Sequence, residues 1–277
     1  MAKGIGLIGN FKGKVGNMVG YKLSDSNTGN SQGIRVYQPI VRNPKTSAQA
    51  EQRAKMAPIN ATYRALKMII DRGNEGLPYG NKSRLAWLKQ AFKAETMPWF
   101  VKGALISDPV VCQLTKGSLA GLDYEVDDSS ILISATNVAA GTEVDTIGKV
   151  STILKQSYPS LKEGDQITFV YTTQGSGALQ AQMFSIIIKS DDTTPTTAFN
   201  AQASKIGVAF DMTGGFGAAI VSREGDNGQH LRSTALLKMW TDLVDEGAFA
   251  PEAKTAAIES YQNAAGANSD WAEESIQ

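Results

Sequence analysis

Cysteine and histidine each occur once in 277 residues, at Cys112 and His230. One cysteine excludes an intramolecular disulfide framework and suits a reducing compartment, or a particle assembled in one. One histidine excludes multi-histidine zinc centres and two-histidine iron centres. Long apolar runs are missing as well. No stretch approaches the roughly 18 consecutive apolar residues of a membrane span, and Lys3 precedes a glycine-broken segment rather than the apolar run of a signal peptide. No membrane partner is expected. No repeat of fixed period is evident. Charged residues make up only 19% of the chain, and the formal net charge is zero.

That zero conceals a split. Residues 1–103 hold 17 Lys/Arg against 5 Asp/Glu, a balance of +12, and the remainder holds 10 against 22, a balance of −12. Such asymmetry points to modules with different electrostatic partners. Three segments are expected: a basic arm and helical module over 1–103, an antiparallel β-domain over 104–250, and a C-terminal helix with a polar acidic tail over 251–277.

Residues 1–42 read as extended, with glycines at 4, 6, 9, 13, 16 and 20 punctuating short apolar pieces. A polar turn-rich loop over 24–33 and a strand over 34–41 complete a loose hairpin or arm. Thr46 and Gln49 fit a capping box ahead of a helix whose stripe is Met56, Ile59, Tyr63, Leu66 and Ile70. Pro58 predicts a kink or a new start within it. Leu85, Leu88 and Phe92 mark a second helix after a loop over 75–84, with Lys82, Lys89 and Lys93 on its other side. Strands are expected over 110–117, 122–126, 130–136, 166–173, 179–190, 205–212, 216–224 and 231–240, with one helix led by Thr146 and stopped by Pro159. The fold class is α+β: a basic β-arm and two helices, then an antiparallel β-sandwich or barrel, then a helix after Pro251.

Catalytic motifs fail on context. Gly4-Ile5-Gly6-Leu7-Ile8-Gly9 spells a dinucleotide fingerprint, but three residues leave no room for the strand that must precede it. Glycines 13, 16 and 20 would cripple the helix that must follow. Gly13-Lys14-Val15 carries valine where a Walker A loop needs Ser or Thr. A thiol nucleophile would require Cys112 beside His230, whereas an apolar strand around Cys112 favours simple packing. Asp123, Glu125 and Asp127 share one strand face that could hold Ca²⁺, but they read as a solvated face without an EF-hand loop. Asp191-Asp192 reads as loop. No catalytic residue, metal or small-molecule cofactor is expected, and the chain reads as a non-enzyme.

One constellation carries information. Lys12, Lys14, Lys22, Arg35, Arg42, Lys45, Arg53 and Lys55 lie in or beside the glycine-rich arm and the first helix start, with Tyr21, Tyr37 and Phe11 interleaved. Lysine and arginine neutralise phosphates with release of counterions, and aromatic rings stack on bases. The alternative is an arm that pairs with neighbouring subunits, its charge complementing the acidic half.

The segment 13–23 followed by 41–56 resembles a family of uncharacterised proteins in Bacteroidota genomes and their phages. The matching residues are Gly13, Lys14, Val15, Gly16, Val19 and Gly20, then Asn43, Pro44, Thr46, Gln49, Gln52 and Arg53. Met18 departs from the pattern's valine, Asp25–Gly33 looks like an insertion, and residues 230–237 look like a closing strand of that group. The likeness covers about the first 90 residues and implies a phage or mobile-element setting without a catalytic assignment. The expected function is therefore a viral or mobile-element structural or assembly protein in a virion or host cytoplasm. It would self-associate while its arm meets nucleic acid or a neighbouring subunit. The alternative is a nucleic-acid-binding accessory protein of replication or packaging.

Overall fold

A computed structural model describes residues 13–22, 32–37, 46–136, 138–139, 141–174, 178–211, 213–225, 228–243 and 247–263. The described residues belong to two compact units, one ending before residue 46 and the other beginning at Thr46.

In the first unit, β1 (Gly13–Val15), β2 (Met18–Lys22) and β3 (Gln32–Val36) form an antiparallel meander. Gly16 takes φ +56° in the two-residue turn between β1 and β2, a conformation that side chains resist and glycine accepts. The register sets Lys14 opposite Val19 and Val19 opposite Arg35, with Met18 opposite Val36 in the adjacent row. Adjacent rows point to opposite faces, so Lys14 and Arg35 share one face and Met18 and Val36 the other.

The second unit opens on three helices, α1 (Ser47–Ala65), α2 (Lys67–Ile70) and α3 (Asn81–Ala91). The Thr46 hydroxyl caps α1, accepting from the Gln49 amide at 3.3 Å. Pro58 starts no new helix: α1 runs through it. The Thr62 hydroxyl donates to the Pro58 carbonyl at 2.9 Å and accepts from the Val110 amide at 2.9 Å, tying the helix to the segment that follows. The break comes at Leu66 instead. In α3 the buried residues are Ser83, Trp87 and Ala91, not the expected stripe: Leu85 is exposed and Leu88 only partly buried. Trp87 carries the larger apolar area, and Ser83 donates to the Ile70 carbonyl at 2.8 Å, so that side of the helix turns inward.

Then follow β4 (Gln113–Thr115), β5 (Tyr124–Val126), β6 (Ser130–Ser134), α4 (Ile147–Ser157), β7 (Gln166–Gln174), β8 (Leu179–Ile187), β9 (Phe199–Gln202), β10 (Lys205–Ala209), β11 (Phe216–Glu224), β12 (His230–Arg232), β13 (Ala235–Leu236), β14 (Lys238–Met239) and α5 (Pro251–Asn263). The fold is α+β. Its larger sheets run β5-β6-β10-β9 and β12-β11-β7-β8, with β14 also on β11 and a small β13-β4 pair; all are antiparallel. No barrel closes among the described residues.

The two larger sheets meet through aromatic side chains: Phe169 of β7 lies 6.0 Å edge-on from Phe199 of β9, and Tyr171 stacks at 4.8 Å on Phe210. The sheets come close at Gly217, where a Cβ would lie 2.8 Å from the Ile131 side chain. One contiguous core joins Ile59, Ile70 and Trp87 of the helices to Leu114, Ile133, Phe169 and Phe216. The expected strand over 231–240 divides into β12, β13 and β14. Fully buried Ser233 redirects it, its hydroxyl accepting from Val221 and its carbonyl accepting from the Thr115 hydroxyl. Strand β9 falls in a segment that the sequence leaves without a strand signal. Gly4–Gly9 and the acidic tail beyond residue 263 lie outside the described residues. No helix among the described residues is long and apolar enough to cross a membrane.

Candidate functional site

On the basic face of the arm, the Lys14 ammonium sits 3.5 Å from the centroid of the Tyr37 ring. A cation centred over an aromatic face is held by the ring quadrupole, which fixes an otherwise mobile lysine. Arg35 is exposed on the same face. On the other face Met18 and Val36 are exposed, Val36 at 72%. Tyr21 and Lys22 end β2 opposite Gly33 and Gln32. Lys12, Arg42 and Lys45 lie outside the described residues, as does Phe11.

The two helix residues of the same sequence constellation serve differently. Arg53 is exposed. Lys55 pairs with Glu51 at 3.1 Å, and Lys254 of α5 reaches the same carboxylate at 3.4 Å. Both ammonium groups also lie near Trp99, at 5.8 and 5.2 Å from its ring centroid. Hydrogen bonds from Lys55 outweigh burial and hold the Glu51 carboxyl below its ordinary range. The Glu51–Lys254 pair links α1 to α5, while Lys55 braces Glu51 from within α1.

Cys112 is buried, and burial pushes its thiol up to about 12, with the Trp87 indole opposing. A thiolate is therefore disfavoured at Cys112. His230 lies at the exposed start of β12, where its ring is 6.1 Å from that of Tyr79. Glu125 forms an ion pair with Lys205, and Asp123 accepts from the Ser134 hydroxyl at 3.2 Å. Among the described residues no group of three or more His, Cys, Asp or Glu is placed to hold a metal ion.

Sequence reasoning passed over a second set of cations paired with rings. The Arg84 guanidinium lies 4.5 Å from the Tyr63 centroid, and that of Arg72 lies 5.6 Å from the Tyr79 centroid. Arg72 and Tyr79 flank a turn-rich loop that is not basic, and the local sequence carries no signal that pairs them. No protein-family model, curated protein or solved structure matches the chain.

Proposed function

We propose that the chain is a non-enzymatic structural or assembly protein of a phage or mobile element, one that self-associates and docks its basic arm on nucleic acid or a neighbouring subunit. The observation that carries this reading is the two-sided arm sheet. Its strands are three to five residues long, with Lys14 and Arg35 on one face and exposed Met18 and Val36 on the other. A sheet this small buries little apolar surface by itself and gains order by packing onto something else. The phage setting comes from the resemblance of the Gly13–Gly20 and Asn43–Arg53 segments, and with it a place in a virion or host cytoplasm.

Strand β8 supports self-association. Its nine residues carry no charge and no proline, and among the described residues it pairs only with β7. Natural edge strands are usually blunted by charge, proline, a bulge or a covering helix; α1 packs against β8, and beyond that contact the strand's long neutral edge suits pairing with the same strand of a second copy. Met183 and Ile187 on this strand are exposed. Sedimentation velocity is expected to show oligomers; a monomer indifferent to salt would overturn the reading.

A second reading, a nucleic-acid-binding accessory protein of replication or packaging, is favoured by the Lys14–Tyr37 stack and by Arg35. It predicts DNA or RNA binding that weakens steeply between roughly 50 and 200 mM salt. Lys12→Glu combined with Lys14→Glu is expected to abolish that binding, measured by fluorescence anisotropy, and an unchanged affinity would count against the arm.

A further inference from the structure

A second cationic cluster lies in the other unit, where the loop after α2 meets β12. Arg72 is exposed, with its guanidinium 5.6 Å from the centroid of the exposed Tyr79 ring, and Tyr79 in turn lies 6.1 Å from the His230 ring. Arg232, two residues along β12, is half-buried, and its Nε is sealed from water without a hydrogen-bond partner. Among the described residues neither Arg72 nor Arg232 belongs to an ion pair.

The acidic residue of this loop is otherwise engaged. Glu75 accepts from the Ser118 amide at 2.9 Å, the Ser118 hydroxyl at 2.8 Å and the backbone amide of Arg232 at 3.2 Å. It fastens the loop to β12 rather than neutralising the guanidiniums. Backbone bonds between Glu75 and Lys116, Lys116 and Gly73, and Gly80 and Asp71, each 2.9 Å, pin the loop further. Gly117 permits the approach, since a Cβ there would fall 2.1 Å from the Arg232 carbonyl oxygen.

The fold therefore holds the Arg72 guanidinium over the Tyr79 ring and, on β12 two residues from His230, the Arg232 guanidinium with an orphaned donor. Burial is the main cause that lowers the Arg232 value, with Tyr79 opposing and Arg72 adding to it. Stacking on Tyr79 accounts for Arg72. It leaves the buried Arg232 donor unexplained, and such donors are normally satisfied. An anion cannot touch the sealed Nε, but it can bind at the exposed Arg72 guanidinium, whose planar fork matches phosphate oxygens and which no carboxylate neutralises among the described residues.

We propose that Arg72, Tyr79, His230 and Arg232 form a binding site for a nucleic-acid strand, with a backbone phosphate on the Arg72 guanidinium and a base stacked against Tyr79. This rests on the nucleic-acid limb of the function proposed above and adds a contact outside the arm. The test is anisotropy of a fluorescein-labelled oligothymidylate with the full chain over a salt series. Both Arg72 and Tyr79 are exposed, so Arg72→Ala combined with Tyr79→Ala leaves the core intact, as circular dichroism would verify. The double variant is expected to bind about tenfold more weakly or worse, with the salt slope reduced by about 1. Wild-type affinity and slope in this variant would overturn the site. If Lys12→Glu with Lys14→Glu still abolished binding, the arm reading would stand alone. Absence of binding by the unaltered chain at low salt would overturn the site and the nucleic-acid limb together, leaving self-association to be judged by sedimentation.

Discussion

The arm sheet and the β12-β11-β7-β8 sheet are both antiparallel, yet they hold together in opposite ways. In β7 and β11, Ile167, Phe169, Val170, Tyr171 and all of Phe216–Val221 are buried, so consecutive residues on both faces lose water. In the arm, Met18 and Val36 face each other across β2 and β3 and remain exposed. Hydrogen-bond pairing is common to both sheets; apolar burial on both faces is not. Each pairing bond is worth only about 1 kcal/mol net, whereas a fully buried large side chain contributes about 1.5–3 kcal/mol. The body therefore has the apolar burial that stabilises a sheet by itself, and the described arm strands have little of it.

The sharpest break of this contrast is truncation. Phe169→Ala is expected to cost about 3–5 kcal/mol in urea denaturation, because the ring is fully buried against Phe184 and Phe199. Val36→Ala is expected to move the same transition by less than about 0.5 kcal/mol while weakening self-association. An equal loss in both would erase the distinction.

Glycine substitution sharpens it next. Gly217→Ala drives a methyl to 2.8 Å from Ile131 and is expected to cost about 1–3 kcal/mol of global stability. Gly16→Ala meets open space but keeps φ +56°, a strain of about 1 kcal/mol. Its effect should be confined to faster amide exchange in β1 and β2, with the thermal midpoint unchanged.

The smallest effect is electrostatic. Amide and hydroxyl donation from Ser118, partly offset by burial and aided by the Arg232 amide, holds Glu75 below its ordinary value. A depressed carboxylate adds stability that is complete above its unfolded value and lost as pH falls through the lower folded one. The loss should therefore set in below about pH 4.5, the ordinary glutamate value. Glu75→Gln is expected to flatten that part of the stability–pH curve, read from thermal midpoints, and to loosen the loop that carries Tyr79.

Much of this architecture was legible residue by residue. Thr46 and Thr146 announced helix starts through side-chain caps, and both hydroxyls accept as such residues should. Alternation and apolar runs located β5, β6, β7, β10 and β11. What went unread had physical causes. The inward face of α3 was hidden because serine and alanine give no apolar signal, yet Ser83 and Ala91 are buried beside Trp87. The division of 231–240 was hidden because Ser233 acts through bonds to Val221 and Thr115, which lie far away in sequence. The arm's charge was legible from composition; the Lys14–Tyr37 stack needed the register of β1 on β2 on β3.

By itself the sequence determined the fold class, the charge split, the helix caps, most strand positions and the lack of histidine and cysteine for a multi-ligand metal or disulfide centre. All of these follow from local periodicity, side-chain capping or simple counting. The tertiary structure alone decided which strands pair, where Cys112 is sealed, and that Arg72 and Tyr79 meet His230 and Arg232 through a fastening between Glu75 and Arg232, 157 positions apart. Such meetings depend on long-range packing and on hydrogen bonds between distant segments, and no local pattern in either segment encodes its partner.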